Sequence, residues 1–105
     1  MNIIDDTIDY LVEYGWTKDH YFSPGSKEVC IVGALTRVSH DALFEEVRGA
    51  RKIIMSVIEQ EFPELKLDSR FPAMIETFND DNNTTFNDVL IVLQKASALW
   101  DEKHG

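Results

Sequence analysis

The sequence predicts a mainly α, compact single domain of four or five helices, with a short β-hairpin or irregular arm at about 20–32. Three observations carry this. Apolar residues recur with the 3.6-residue period in three long stretches. Capping residues stand where those stretches begin or end. The 105 residues, 44% hydrophobic, are enough for one compact core, and no internal repeat or low-complexity tract divides them. The span 1–105 is therefore read as one helical domain.

The first helix is predicted over 3–14. Ile4, Ile8, Leu11 and Val12 recur at i, i+4, i+7 and i+8, while Asp5, Asp6, Asp9 and Glu13 take the other face. Asn2 stands three residues before Asp5, as an N-cap would, and acids in the first turn complement the helix dipole. Gly15 sits where a C-terminal glycine closes a helix.

The stretch from Gly15 to Leu35 holds the only cysteine and one of the two tryptophans. Trp16 is expected to fold back on the first helix. Two short extended pieces, His20-Tyr21-Phe22 and Val29-Cys30-Ile31-Val32, flank Ser23-Pro24-Gly25-Ser26, whose Pro-Gly favours a turn. A helix starting near Glu28 and running through Arg37 competes with that hairpin, and so short a run has no decisive period. The expectation is an arm leading into a helix at about 30–38.

Ser39 is taken as the N-cap of the longest helix, about 40–61. Its stripe is Leu43, Val47, Ala50, Ile54, Val57, Ile58 and Phe62, and Pro63 ends it. Residues 63–71 read as a linker. Pro72 suits the first turn of a brief helix over 72–78. Asn79 to Thr84 is a loop by composition. Thr85 and Asp88 approximate a capping box for a last helix at about 86–102, marked by Phe86, Val89, Leu90, Leu93, Ala96 and Trp100. The tail from Asp101 to Gly105 is expected to fray.

Charge narrows the function classes. Nineteen acids against ten Lys and Arg give a net −9, a field that repels nucleic-acid phosphate and anionic lipid. It suits a protein partner with a basic surface. Arg48, Arg51 and Lys52 share their helix with Glu45, Glu46 and Glu59, so no basic stripe forms. The acidic N-terminus lacks a signal-peptide pattern and no apolar run is of membrane-spanning length, so a cytoplasmic protein with no membrane contact is expected.

Cys30 is the first candidate for chemistry. Placed at a helix start it would gain thiolate character from backbone N–H groups. His20 or His40 could serve as base and Asn79 or Asp80 as orienting group, the minimal set for a cysteine nucleophile. Against this, Val29, Ile31 and Val32 flank the cysteine, as they would a small buried hydrophobe. The three histidines and the cysteine have no metal-ligand spacing. Asp80-x-Asn82-x-Thr84 lacks the glycine and the final glutamate of a calcium loop. No phosphate loop is present: Gly33-Ala34-Leu35 has neither the spacing nor the lysine. No metal or cofactor is expected. The aromatic residues, Trp16 and Trp100 among them, are read as core rather than as a ligand box.

Gly15-Trp16, then Cys30-x-x-Gly33-Ala34-Leu35, then Phe78-Asn79-Asp80 with Thr84-Thr85 and Val89-Leu90, occur in that order. This set resembles a family of small uncharacterised proteins, a domain of unknown function of actinobacteria and bacteriophages. Its members read G-W … V-C-x-x-G-A-L … W-N-D … T-x-x-x-V. The likeness spans about 15–93. Phe78 stands where that family has tryptophan, and the segment before Asn79 is more acidic than its pattern. The resemblance implies a mostly helical fold and a prokaryotic or phage setting, and it supplies no activity.

The resulting expectation is a non-enzymatic acidic interaction protein, in one form a phage-encoded inhibitor or regulator of a host protein. Asp5, Asp6, Asp9, Glu13, Asp80 and Asp81 are its expected partner-binding residues. The alternative is a cysteine-dependent enzyme using Cys30 with His20 or His40. A homodimer through an exposed helix face is the third expectation.

Overall fold

A computed structural model describes residues 2–18, 28–63 and 74–104. Five helices follow in order: α1 (Ile3–Tyr14), α2 (Ile31–Val38), α3 (Phe44–Glu61), α4 (Met74–Asp80) and α5 (Phe86–His104). The protein is mainly helical, and no strand occurs among the described residues. His20, the first extended piece of the expected hairpin, its Ser23–Ser26 turn, most of the 63–71 linker and Pro72 lie outside those residues.

α1 forms as its pattern dictates. The Asn2 side chain accepts from Asp5 N–H at 2.9 Å, and Asp5 and Asp6 occupy the first turn. Gly15 ends the helix at φ 99°, ψ 158°, a backbone region open essentially to glycine alone. Ile3, Ile4, Thr7 and Leu11 are the buried residues. Val12, expected in the apolar stripe, is 63% exposed. It stands about 100° round the helix from Leu11, outside the narrower face that α2 and α5 cover.

The Gly15–Leu35 stretch contains a β contact, but not the expected one. A single parallel bridge joins Trp16 to Val29, with Thr17 N–H donating to Val29 O (3.0 Å) and Val29 N–H to Gly15 O (3.2 Å). Trp16 packs against the buried cluster. Its ring stacks on Phe86 at 5.9 Å, because its indole N–H is drawn to Asn79 on α4.

Several helix boundaries differ from expectation. Ser39 is the C-cap of α2, not the N-cap of the long helix: its N–H donates to Leu35 O, and its hydroxyl donates back to Thr36 O. The intervening turn is closed by Ala42 N–H on Ser39 O, so α3 starts at Phe44. Leu43 becomes an N-cap without a side-chain bond and is 76% exposed rather than core. Ile53 joins Ala50, Ile54, Val57 and Ile58 in the buried stripe of α3. α5 runs on to His104 instead of fraying at 101: the His104 ring stacks on Trp100 at 4.1 Å, and Nδ1 lies 2.9 Å from the Trp100 carbonyl.

The Thr85–Asp88 capping box forms reciprocally. Thr85 N–H donates to Asp88 Oδ2 (3.0 Å), and Asp88 N–H donates to Thr85 Oγ1 (3.2 Å). The buried residues make one cluster, from Ile4 and Leu11 through Ile31, Leu35, Ile54, Ile58, Ile75 and Phe78 to Val89, Leu93 and Trp100. Burial of that cluster sets α4 against α2 and α3, and so brings Asn79 under the Trp16–Val29 bridge.

Candidate functional site

Asn79 was expected in a loop and instead occupies the last turn of α4, buried. Its amide uses both ends. Oδ1 accepts from Trp16 Nε1–H at 2.6 Å and from Ile31 N–H at 3.1 Å. Nδ2 donates to Thr17 O at 3.1 Å and to Asp80 Oδ1 at 2.9 Å. Ile31 is the first residue of α2, whose leading N–H groups have no partner within the helix, so Asn79 serves as a cap supplied from another element. One side chain thereby joins the Gly-Trp segment, the start of α2 and the end of α4.

Cys30 is the neighbouring cap. It is the N-cap of α2 and is buried, with Sγ accepting from Gly33 N–H at 3.3 Å. Burial pushes the thiol above its ordinary value of 9.0. The Gly33 and Val32 N–H groups oppose that shift, and the negative charges of Asp80 and Glu76 add to it. The expected helix-start effect on the sulfur is present, but desolvation outweighs it.

Cys30, Asn79 and Asp80 are thus brought together, and His40 is not. His40 lies beyond the C-terminal end of α2, about 12 Å of helix from its first residue, exposed beside Asp41 at 3.6 Å. His20 lies outside the described residues. No base that is described reaches the sulfur, and the Asn79 amide is spent on structural bonds.

Lys18 closes the outer side of this centre. Its ammonium donates to Asp81 O at 2.7 Å and stands 5.6 Å from the Trp16 ring centre, over the half-buried indole. Asp81 Oδ1 accepts from Asn83 N–H at 2.9 Å, and Thr84 N–H donates to Asp81 O at 3.1 Å. The polar run therefore satisfies its own backbone ahead of α5. Among the described residues no three His, Cys, Asp or Glu side chains converge as metal ligands would.

The acids of α1 divide into two groups. Asp5 is half-buried and accepts from Ser97 Oγ at 2.5 Å, while Asn2 Nδ2 donates to Ser97 Oγ (3.1 Å) and Asp101 Oδ1 (3.0 Å). These bonds pin the start of α1 to α5. Asp6, Asp9 and Glu13 are exposed and fall within about 60° of one another round the helix. Asp80 and Asp81 belong to the Asn79 centre.

Sequence reasoning found Cys30, Asn79 and Asp80 and missed what joins them. The missing partners, Trp16 Nε1 and Ile31 N, are separated from Asn79 by 63 and 48 residues. The ordered motif set was the available signal, because all three of its parts meet at one amide.

No helix in the described residues is long and apolar enough to cross a membrane. No curated protein and no solved structure matches the chain. Residues 1–99 match the family of unknown function DUF6197, and the chain belongs to that family.

Proposed function

We propose that this chain is a non-enzymatic interaction protein that captures a basic protein surface through the exposed acidic face of α1. Asp6, Asp9 and Glu13 are its working residues, and Asp5, Asp80 and Asp81 hold the scaffold. The observation that carries this is the division of labour between the centre and the rim. The side chains best suited to chemistry, Cys30 and Asn79, are buried and committed to capping and bridging. The three exposed acids instead form a continuous strip. Such a strip raises encounter rates with a cationic partner and gives salt-sensitive binding. A phage-encoded inhibitor or regulator of a host protein is one concrete form of this proposal, in keeping with the short chain and its net −9.

The test is co-purification with the tagged chain from a prokaryotic host lysate at about 10 mM salt, where the Debye length is about 30 Å. A specific partner should be retained, then shed at about 0.3 M salt. The Asp6→Asn, Asp9→Asn, Glu13→Gln triple variant should lose it. Retention of the same partner by that variant, or no partner at low salt, would end the proposal.

A further inference from the structure

A shallow notch opens between α3 and α5, away from the Asn79 centre. Lys52, Ile53 and Ser56 line it from α3, and Leu99 and Lys103 from α5. The spacing explains the juxtaposition. Lys52 and Ser56 are four residues apart on one helix, Leu99 and Lys103 four apart on the other, so each pair presents one face to the seam. Ile53 is buried at the floor, and Leu99 is half-buried at the wall.

Neither of these lysines is ion-paired, in contrast to two other cations of the described residues. Lys95 is paired with Glu61, and the Arg51 guanidinium stands 3.9 Å from Glu76. Lys52 and Lys103 have no carboxylate within ion-pair distance among the described residues. They nonetheless border the same small concavity, in a chain with nearly twice as many acids as bases. Its volume of about 80 Å³ exceeds the ~10–15 Å³ that a single water needs, so it has room for a small polar group.

We propose that this notch is an oxyanion subsite that takes a phosphate group, held by the Lys52 and Lys103 ammonium groups and the Ser56 hydroxyl. Two cations and one hydroxyl supply donors for three oxygens. Glu59 and Glu102, the acids nearest in sequence on the two helices, together with the net −9 field, oppose anion entry and keep affinity in the millimolar range. The site goes beyond capture of a basic surface: it lies on other helices and uses the opposite charge.

The test is a titration of the ¹⁵N-labelled full chain with sodium phosphate, against sodium chloride at equal ionic strength. Amide shifts at Lys52, Ile53, Ser56, Leu99 and Lys103 should move and saturate with phosphate only. The exposed-site double variant Lys52→Gln, Lys103→Gln should weaken that response by about tenfold or more. If Lys103 served only to offset the negative end of α5, the variant would change stability and leave the phosphate response intact. Phenyl phosphate separates the two sources of the group. Tighter binding than inorganic phosphate assigns a phosphorylated organic ligand lying on Leu99, and equal binding assigns free phosphate. Shifts matched by chloride, scattered over other surfaces, or unaltered in the double variant would overturn the proposal.

Discussion

Removing the Asn79 side chain strands the Ile31 N–H, the Trp16 indole N–H and the Thr17 carbonyl at once. Each buried polar group left unpaired costs about 1–3 kcal/mol, and water can reach the half-buried indole more easily than the Ile31 amide. Asn79→Ala should therefore lose about 3 kcal/mol in urea denaturation. Asn79→Asp keeps the acceptor oxygen, gives up the bond to Thr17, and sets a second carboxylate beside Asp80. Repulsion in the folded state raises the new group's pKa, so its penalty is full at neutral pH and shrinks as pH falls. An equal deficit at pH 4 and pH 7 would contradict the proposed bond pattern. Cys30 offers a second test at this scale. Because its folded pKa is raised, the unfolded chain loses the thiol proton first, and stability declines as pH rises past about 9. Cys30→Ala should abolish that alkaline component while costing about 1 kcal/mol in lost capping. Iodoacetamide should label the folded wild-type thiol far more slowly than the urea-unfolded one.

The helices themselves differ in how well their ends are tied. α1 and α5 carry side-chain caps, whereas α3 starts on Leu43 at φ −69°, ψ 145°, an N-cap backbone with no side-chain acceptor. Leu43→Ser supplies that acceptor without loss of packing, since the leucine is largely exposed. It should stabilise the protein by about 1 kcal/mol, read as a raised urea midpoint with an unchanged slope. The same residue shows where the sequence was legible and where it was not. α1 and α5 could be read because cap, period and breaker agree within one window. The α2–α3 turn could not, because Ser39 is an equally good residue to close one helix or to open the next. The bonds from Ser39 to Leu35 and Thr36, and from Ala42 to Ser39, decide between them. The end of α4 differs for a related reason: the polarity of Asn79-Asp80 suggests a loop, while tertiary bonds to Asn79 hold those residues in helix. The candidate centre was legible as a list of residues and not as a bonding pattern, which depends on contacts far apart in sequence.

At the scale of the whole molecule, a chain with nineteen acids against ten Lys and Arg has a radius of gyration of 12.8 Å. Self-repulsion opposes that compaction, and the exposed acids of α1 contribute to it without an ion pair among the described residues. Sodium chloride at about 0.2 M should therefore raise the thermal midpoint relative to about 0.01 M. Asp6→Asn with Asp9→Asn should reduce that salt increment. A salt-independent midpoint would mean that the acids are already compensated. The same substitutions weaken the proposed partner face, so stability and binding are expected to move in opposite directions.

The two indoles are held at opposite ends of one rod. Trp16 leans on Phe86 at the start of α5, and Trp100 stacks on His104 at its finish, about 21 Å of helix further along. Their surroundings are also unlike, an amide and an ammonium for the first, an imidazole for the second. Replacing either by phenylalanine leaves a single indole, so one variant reports on the Asn79 junction and the other on the end of α5 that carries Lys103 of the proposed notch.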